Sequence, residues 1–100
     1  MKLIFCVKCY DIVRLQHEPR ECACERSSGR YIDDLNASIS GPCIPLGFAN
    51  TSFINALREQ KRNGDKDDGF GREFTAFVIP ESAPSVVRVD DYDVYKEIFK

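Results

Sequence analysis

The chain has little of what acid–base catalysis and membrane insertion require. It contains one histidine, His17, and no run of residues approaches the ~20 apolar residues of a membrane-spanning helix. Its net charge is −2, which gives little support to nucleic acid as the main partner, because that kind of binding depends on a basic surface. No internal repeat or low-complexity tract is present. These absences favour a small, non-enzymatic protein.

Cysteine, in contrast, is concentrated near the start of the chain. Four of the five cysteines form two close pairs, Cys6 with Cys9 and Cys22 with Cys24, and Cys43 stands apart. Two such pairs are how a short chain builds a tetrahedral Zn²⁺ site. Because all four positions would be filled by protein, we expect the zinc to be structural. A redox role for Cys6 and Cys9 is the alternative, but a redox pair belongs at a helix N-terminus.

The compartment is inferred from the same thiols. The first residues carry no secretory signal, since the apolar segment 3–7 is too short and charged residues follow it at once. We therefore expect a reducing cytoplasm, in which thiols are available to a metal.

Strands are expected on both sides of each cysteine pair. Segment 2–5 is expected to be a short strand, and segment 11–17 alternates with a period of two, with Val13 and Leu15 on one side. A third strand is expected at 30–32. The order strand, cysteine pair, strand, cysteine pair, strand is that of a zinc ribbon.

Residues 1–32 resemble a zinc ribbon, and the opening nine residues also resemble short, uncharacterised zinc-ribbon proteins of bacteria and their phages. The resemblance implies a structural zinc ion and supplies no activity. Two features depart from the usual pattern. Ribbon loops usually place glycine after the second cysteine, because that position needs a positive φ, whereas Tyr10 and Glu25 stand there in this chain. The second pair is also one residue shorter than the first. The resemblance implies these ligands: Cys6, Cys9, Cys22 and Cys24.

The rest of the chain indicates a compact α+β body. Segment 33–50 contains several glycines and prolines and is expected to be irregular, whereas 51–62 has the apolar spacing of a helix. Strands are expected at 74–79 and 85–89, and Asp91 is expected to cap a short last helix.

The predicted fold is therefore α+β. An N-terminal zinc ribbon is continuous with a small antiparallel sheet, one main helix and a short C-terminal helix. Residues 1–100 form a single domain, with 1–32 as the ribbon part and 33–100 as the body.

Other motifs carry weaker signals. The acidic loop at 65–69 lacks the spacing of a Ca²⁺ loop, and 69–72 is too short for a phosphate loop. His17 with Cys43 could form a nucleophile and base, although no third group is evident to orient them. A phosphorylated small ligand could bind in the 41–52 segment at the start of the helix, through four residues: Gly47, Asn50, Thr51 and Ser52.

The expected function is that of a zinc-stabilised, non-enzymatic binding protein. A protein partner is favoured, with the chain as an adaptor or inhibitor of bacterial or phage type, and the 33–50 and 65–72 segments as contact regions. One alternative is sequestration of the phosphorylated ligand described above. Another is nucleic-acid binding through the ribbon, with Tyr10 or Tyr31 available for stacking. The basic residues that would serve it are Lys2, Lys8, Arg14, Arg20, Arg26 and Arg30.

Overall fold

The computed structural model describes residues 1–62 and 71–99, and it has an α+β fold. In chain order its elements are β1 (Lys2–Cys6), β2 (Ile12–Arg14), β3 (Arg20–Glu21), β4 (Ser28–Tyr31), β5 (Ala37–Ser40), β6 (Cys43–Phe48), α1 (Asn50–Arg62), β7 (Ala76–Val78), β8 (Val86–Arg88) and α2 (Val94–Ile98). No helix within the described ranges is long and apolar enough to cross a membrane.

The strands form two sheets of four strands each. The first sheet has the order β2-β1-β6-β7 and is antiparallel throughout. The second has the order β3-β4-β5-β8, and it is mixed because β5 and β8 run parallel. Each sheet takes two strands from residues 1–32 and two from the later residues. The N-terminal part is therefore built into the same sheets as the body.

The core follows the alternation seen in the sequence. Ile4 and Cys6 on β1 are fully buried, and Val13 and Leu15 are buried on one side of their strand, as the period of two predicts. The strand predicted over 11–17 is shorter in the structure, where β2 covers Ile12–Arg14. The buried cluster includes these residues: Ile4, Cys6, Val13, Leu15, Cys22, Ala37, Ile39, Cys43, Ile79 and Val86.

The prediction that 33–50 is irregular is wrong. This segment contains β5 and β6, and β6 is a central strand of the first sheet, between β1 and β7. The prolines of this segment led to the wrong prediction, because proline is unusual in a central strand. Pro45 on β6 pairs with Ile4 on β1. Its carbonyl is directed to the other neighbour and accepts from the N–H of Ile79, which lies just beyond the end of β7, so proline is tolerated at this position. The ladder therefore loses little from the missing Pro45 N–H.

The turn between β5 and β6 carries the chain from the second sheet to the first. Gly41 lies in this turn with φ 89°, a conformation that a side chain disfavours. A Cβ added at Gly41 would lie 2.0 Å from the carbonyl oxygen of Arg26. Two separate constraints, the backbone conformation and the closeness of residue 26, therefore require glycine here.

The C-terminal elements match the prediction in kind and differ at their ends. The main helix is confirmed, with α1 beginning at residue 50. Strands β7 and β8 are shorter than the segments predicted for them. Asp93, and not Asp91, caps α2, because its carboxylate accepts from the Lys96 N–H at 3.4 Å. Most of the predicted 65–72 loop lies outside the described residues.

We predict that Gly41→Ala costs about 3 kcal/mol or more of unfolding free energy. A left-handed backbone alone costs roughly 1–2 kcal/mol for a non-glycine residue, and the contact with Arg26 involves backbone that cannot move freely. Chemical denaturation measures the change. Gly71→Ala is the matched control, because Gly71 also has positive φ (75°), but among the described residues its added Cβ would meet only the flexible end of Gln60. Equal costs at the two positions would contradict the proposed contact with Arg26.

Candidate metal centre

The two cysteine pairs lie at the tips of two β-hairpins. Cys6 is the last residue of β1 and Cys9 lies in the connection from β1 to β2, whereas Cys22 and Cys24 lie between β3 and β4. Their four sulfur atoms all lie within 4.8 Å of one another. The sequence therefore identified the four residues of the cluster correctly, although they belong to different sheets.

Both loops are closed by an outer hydrogen bond across the same number of residues, while their inner hydrogen bonds differ by one residue. The Cys6 N–H donates to the Asp11 carbonyl at 2.9 Å, and the Cys22 N–H donates to the Ser27 carbonyl at 3.0 Å. Inside these bonds, the Tyr10 N–H donates to the Cys6 carbonyl at 2.8 Å, and the Glu25 N–H donates to the Cys22 carbonyl at 3.0 Å. The shorter spacing of the second pair is thus accommodated in a loop that closes over the same number of residues.

The two residues that replace the usual glycines adopt the backbone that glycine would supply. Tyr10 has φ 61° and Glu25 has φ 64°. This conformation costs roughly 1–2 kcal/mol for each non-glycine residue. Local contacts hold the loops in place: the Tyr10 ring stacks on Phe5 with centroids 5.7 Å apart, and the Asp11 carboxylate accepts from the Ala23 N–H at 2.9 Å.

The sulfur separations fit a tetrahedral metal. Cys6 Sγ lies 3.7 Å from Cys24 Sγ, and Cys22 Sγ lies 3.5 Å from Cys24 Sγ. Four ligands at the Zn–S distance of 2.3 Å stand about 3.8 Å apart at tetrahedral corners. These separations are far longer than a disulfide bond, and all five cysteines are free thiols. The donor set therefore suits a soft divalent cation held by four sulfurs.

Electrostatics within the cluster lowers the pKa of Cys6 and Cys22 and raises that of Cys24. Burial raises the pKa of Cys22, but the Ser27 N–H and the neighbouring thiols stabilise its anion, so that its pKa is lowered to about 6. The Arg26 N–H favours ionised Cys24, yet burial and the other cysteines outweigh it and raise the pKa of Cys24 to about 12. Because neighbouring anions repel, several thiolates can coexist here only with a cation among them.

Cys43 lies directly behind the cluster. It pairs with Cys6 across β1 and β6. The N–H of Cys6 bonds on the β2 side, so Cys6 and Cys43 form a non-hydrogen-bonded pair, in which side chains approach closely. Burial raises the pKa of Cys43 to about 11, and its thiol donates to the Ser40 carbonyl at 3.4 Å. Cys43 is not among the four clustered ligands.

His17 lies at the surface. Its side chain is 68% exposed, with its Nε2 3.9 Å from the Asp34 carboxylate and its ring beside Tyr31. It is not part of the cysteine cluster. The fully buried Cys43 has its thiol directed to Ser40 and not to this histidine.

The four residues considered for a phosphorylated ligand lie near the start of α1, and three have partners within the chain. The Asn50 side-chain oxygen accepts from the amino group of Met1 at 3.0 Å, and Ser52 Oγ accepts from the Thr75 N–H at 2.7 Å. Gly47 is covered by the Phe77 ring, which a Cβ there would approach to 2.5 Å. Thr51 is exposed. A ligand at this place would compete with the first two of these hydrogen bonds.

Comparison with known proteins found no match: no protein-family model, curated protein or solved structure is similar to this chain. The site is therefore interpreted from its own geometry.

Sequence reasoning missed the residues that support the cluster from behind. Arg88 on β8 donates to the carbonyls of Gly41 and Cys43, both at 2.6 Å, and Asp90 accepts from the Gly41 N–H at 2.7 Å. These bonds join residues more than forty positions apart, so no local sequence pattern predicts them. The Arg88–Asp90 pair fixes the turn that places Cys43 opposite Cys6.

We predict that Arg88→Met lowers the unfolding free energy by about 2–3 kcal/mol, because two partly buried carbonyls lose a charged donor. Urea denaturation under constant metal conditions measures it. The control is Arg30→Met. Arg30 is exposed, and its side chain donates to the Tyr31 carbonyl over a long distance of 3.4 Å, so its loss should cost about 0.5 kcal/mol or less. Similar values for both variants would show that Arg88 does not hold the turn.

Proposed function

We propose that Cys6, Cys9, Cys22 and Cys24 bind one structural Zn²⁺ ion. The supporting observation is that the four sulfurs lie within 4.8 Å of one another, and that two of their separations, 3.7 and 3.5 Å, are close to those of a tetrahedral site. When bound, the ion would supply the positive charge that several neighbouring thiolates need, and it would tie the two hairpin tips together. Four protein ligands leave no position for a catalytic water, so the metal's role is to stabilise the fold.

The first prediction from this proposal is one zinc ion per chain in protein purified under reducing conditions, measured by elemental analysis. Cys24→Ser should lose the metal or bind it much more weakly, because a thiolate ligand is removed. Cys43→Ala should keep the full zinc content and cost at most a few kcal/mol through the cavity it leaves. Disulfides among the four cysteines with no metal would refute the zinc site, and zinc loss in Cys43→Ala would show a wrong ligand set.

We further propose that the chain is a non-enzymatic, protein-binding adaptor or inhibitor of bacterial or phage type, acting in a reducing cytoplasm. The observation that supports a protein partner is the surface of α1. This helix of thirteen residues has a single buried residue, Ala56. Ile54 and Leu57 are 43% and 52% exposed. Adjacent exposed apolar side chains are typical of a surface that another protein covers.

A groove adds to this surface. It lies between α1 and residues 71–74, has a volume of about 300 Å³, and is lined by Phe53, Leu57 and Phe74 among others. We therefore propose the main helix as the contact surface. The predicted 33–50 contact region is less suited to the role, because residues 36–49 are buried or half-buried and only 33–35 and Asn50 are exposed.

The nucleic-acid alternative has weaker support. Three of its six basic residues have partners within the chain. Lys8 pairs with Glu97 at 2.9 Å, Lys2 Nζ donates to the Leu35 carbonyl at 2.7 Å, and Arg30 contacts the Tyr31 carbonyl. Of the two candidates for stacking, Tyr10 already stacks on Phe5, although it remains 75% exposed, and Tyr31 lies beside His17 and accepts from the Lys2 N–H.

The partner proposal predicts that an affinity-tagged chain retains a stoichiometric protein from its host extract, identified by mass spectrometry. Leu57→Glu should abolish this retention, because a charge would enter the apolar contact. Asn55→Glu is the matched control on the same helix, since Asn55 is exposed and polar, and it should retain the partner. Circular dichroism checks that both variants fold.

Two results would contradict the partner proposal. One is a partner held equally by wild type and Leu57→Glu. The other is nanomolar binding to DNA or RNA in an anisotropy titration at physiological salt, abolished by charge reversal at Arg14 and Arg26. That second result would favour the nucleic-acid alternative, because non-specific contacts give only ~10⁻⁴–10⁻⁶ M.

A further inference from the structure

One buried polar group is left without a partner. Ser27 is 0% exposed, and its hydroxyl oxygen has no hydrogen-bond partner among the described residues. Buried hydroxyl groups in native proteins are nearly always hydrogen-bonded, and an exception calls for an explanation. The surroundings of Ser27 supply one.

The Ser27 hydroxyl faces two sulfur atoms, those of Cys6 and Cys43. The Ser27 backbone is fixed at both of its polar atoms: its carbonyl accepts from the Cys22 N–H, and its N–H donates to Cys22 Sγ at 3.4 Å. The Gly41 turn also packs against Ser27, since a Cβ at Gly41 would lie 2.9 Å from the Ser27 Cα. The hydroxyl therefore has a fixed location between the second loop and Cys6.

Of the two sulfurs, Cys6 is the one that needs a donor. Cys43 is a buried thiol that already donates to the Ser40 carbonyl. Cys6 is one of the four clustered cysteines, and it is fully buried. Four thiolates around a divalent cation carry a net charge of about −2. Solvent cannot reach a fully buried sulfur to stabilise that charge, so protein donors must do so.

We propose that the Ser27 hydroxyl donates a hydrogen bond to the Cys6 thiolate of the metal centre and thereby strengthens metal binding. This inference rests on the proposed zinc site. Ser27 is not a ligand. It is a positioning residue that acts through Cys6, together with the backbone N–H groups of Lys8 and Cys9 that point to the same sulfur. Without a metal-bound thiolate, the hydroxyl has no strong acceptor, and its burial lowers the free energy of unfolding.

The test compares Zn²⁺ affinity of the wild type and Ser27→Ala by chelator competition. We expect a loss of about tenfold, the lower end of the effect of removing a group that supports a metal ligand. Ser28→Ala is the matched control in the same hairpin, because its hydroxyl bonds Ser40 Oγ at 2.8 Å and not a ligand sulfur. Ser28→Ala should change the affinity by less than about twofold.

Two further measurements separate a hydrogen bond to sulfur from a general structural role. In the Co²⁺-loaded protein, Ser27→Ala should move the sulfur-to-metal charge-transfer band to longer wavelength, because the thiolate loses a stabilising donor; Ser28→Ala should leave it unmoved. In chelator-treated protein, Ser27→Ala should be at least as stable as wild type, because it removes an unpartnered buried hydroxyl.

The outcomes are distinct. Equal Zn²⁺ affinity and an unmoved band in Ser27→Ala, with a wild type that binds zinc, would overturn the role of Ser27 and leave the metal site intact. A Ser27→Ala protein destabilised equally with and without metal would also overturn it. A wild type that binds no zinc would overturn the metal site, and the inference with it.

Discussion

The close approach of four cysteine sulfurs is the constraint on which the rest of the structure depends. Cys6 and Cys22 belong both to this group and to the buried core. The site is therefore part of the core of a 100-residue chain and not an appendage to it. At this size a hydrophobic core alone gives limited stability. Whatever holds the four sulfurs together also holds the first sheet to the second.

The turn at residues 41–43 transmits this constraint to the rest of the chain. It leads from β5 in the second sheet to β6 in the first, and it brings Cys43 opposite Cys6. Gly41 packs on the second cysteine loop, while Arg88 holds the turn from β8. The first loop, the second loop and the end of β8 thus meet at one turn. A change in any of them alters the position of the sulfurs.

The sequence predicted those parts that depend on local patterns. The cysteine spacing identified the cluster, the period of two identified Val13 and Leu15, and the apolar spacing of 51–62 identified α1. It also indicated that the positions of Tyr10 and Glu25 need positive φ, and both residues have it. Each of these signals lies within a few residues of the feature that it predicts.

What the sequence did not predict depends on distant contacts. Strand β6 is bordered or interrupted by proline and glycine, and it forms because β1 and β7 pair on its two sides. Arg88 resembles any strand arginine until the fold brings it to the Gly41 and Cys43 carbonyls. In the sequence, Ser27 resembles an ordinary turn residue. Its burial beside the cysteine cluster, on which the proposed hydrogen bond depends, is known only from the fold. Tertiary structure decides all three.

The division between the sheets and α1 connects stability with the proposed function. The buried cluster consists of strand and loop residues, and α1 contributes none of them. A metal that joins the hairpin tips would add its binding free energy to folding, so the fold would depend less on burying the two exposed apolar side chains of α1. Ile54 and Leu57 can then stay exposed without loss of the native state. Under the proposed function, the cysteine cluster would provide rigidity and the helix would provide the recognition surface.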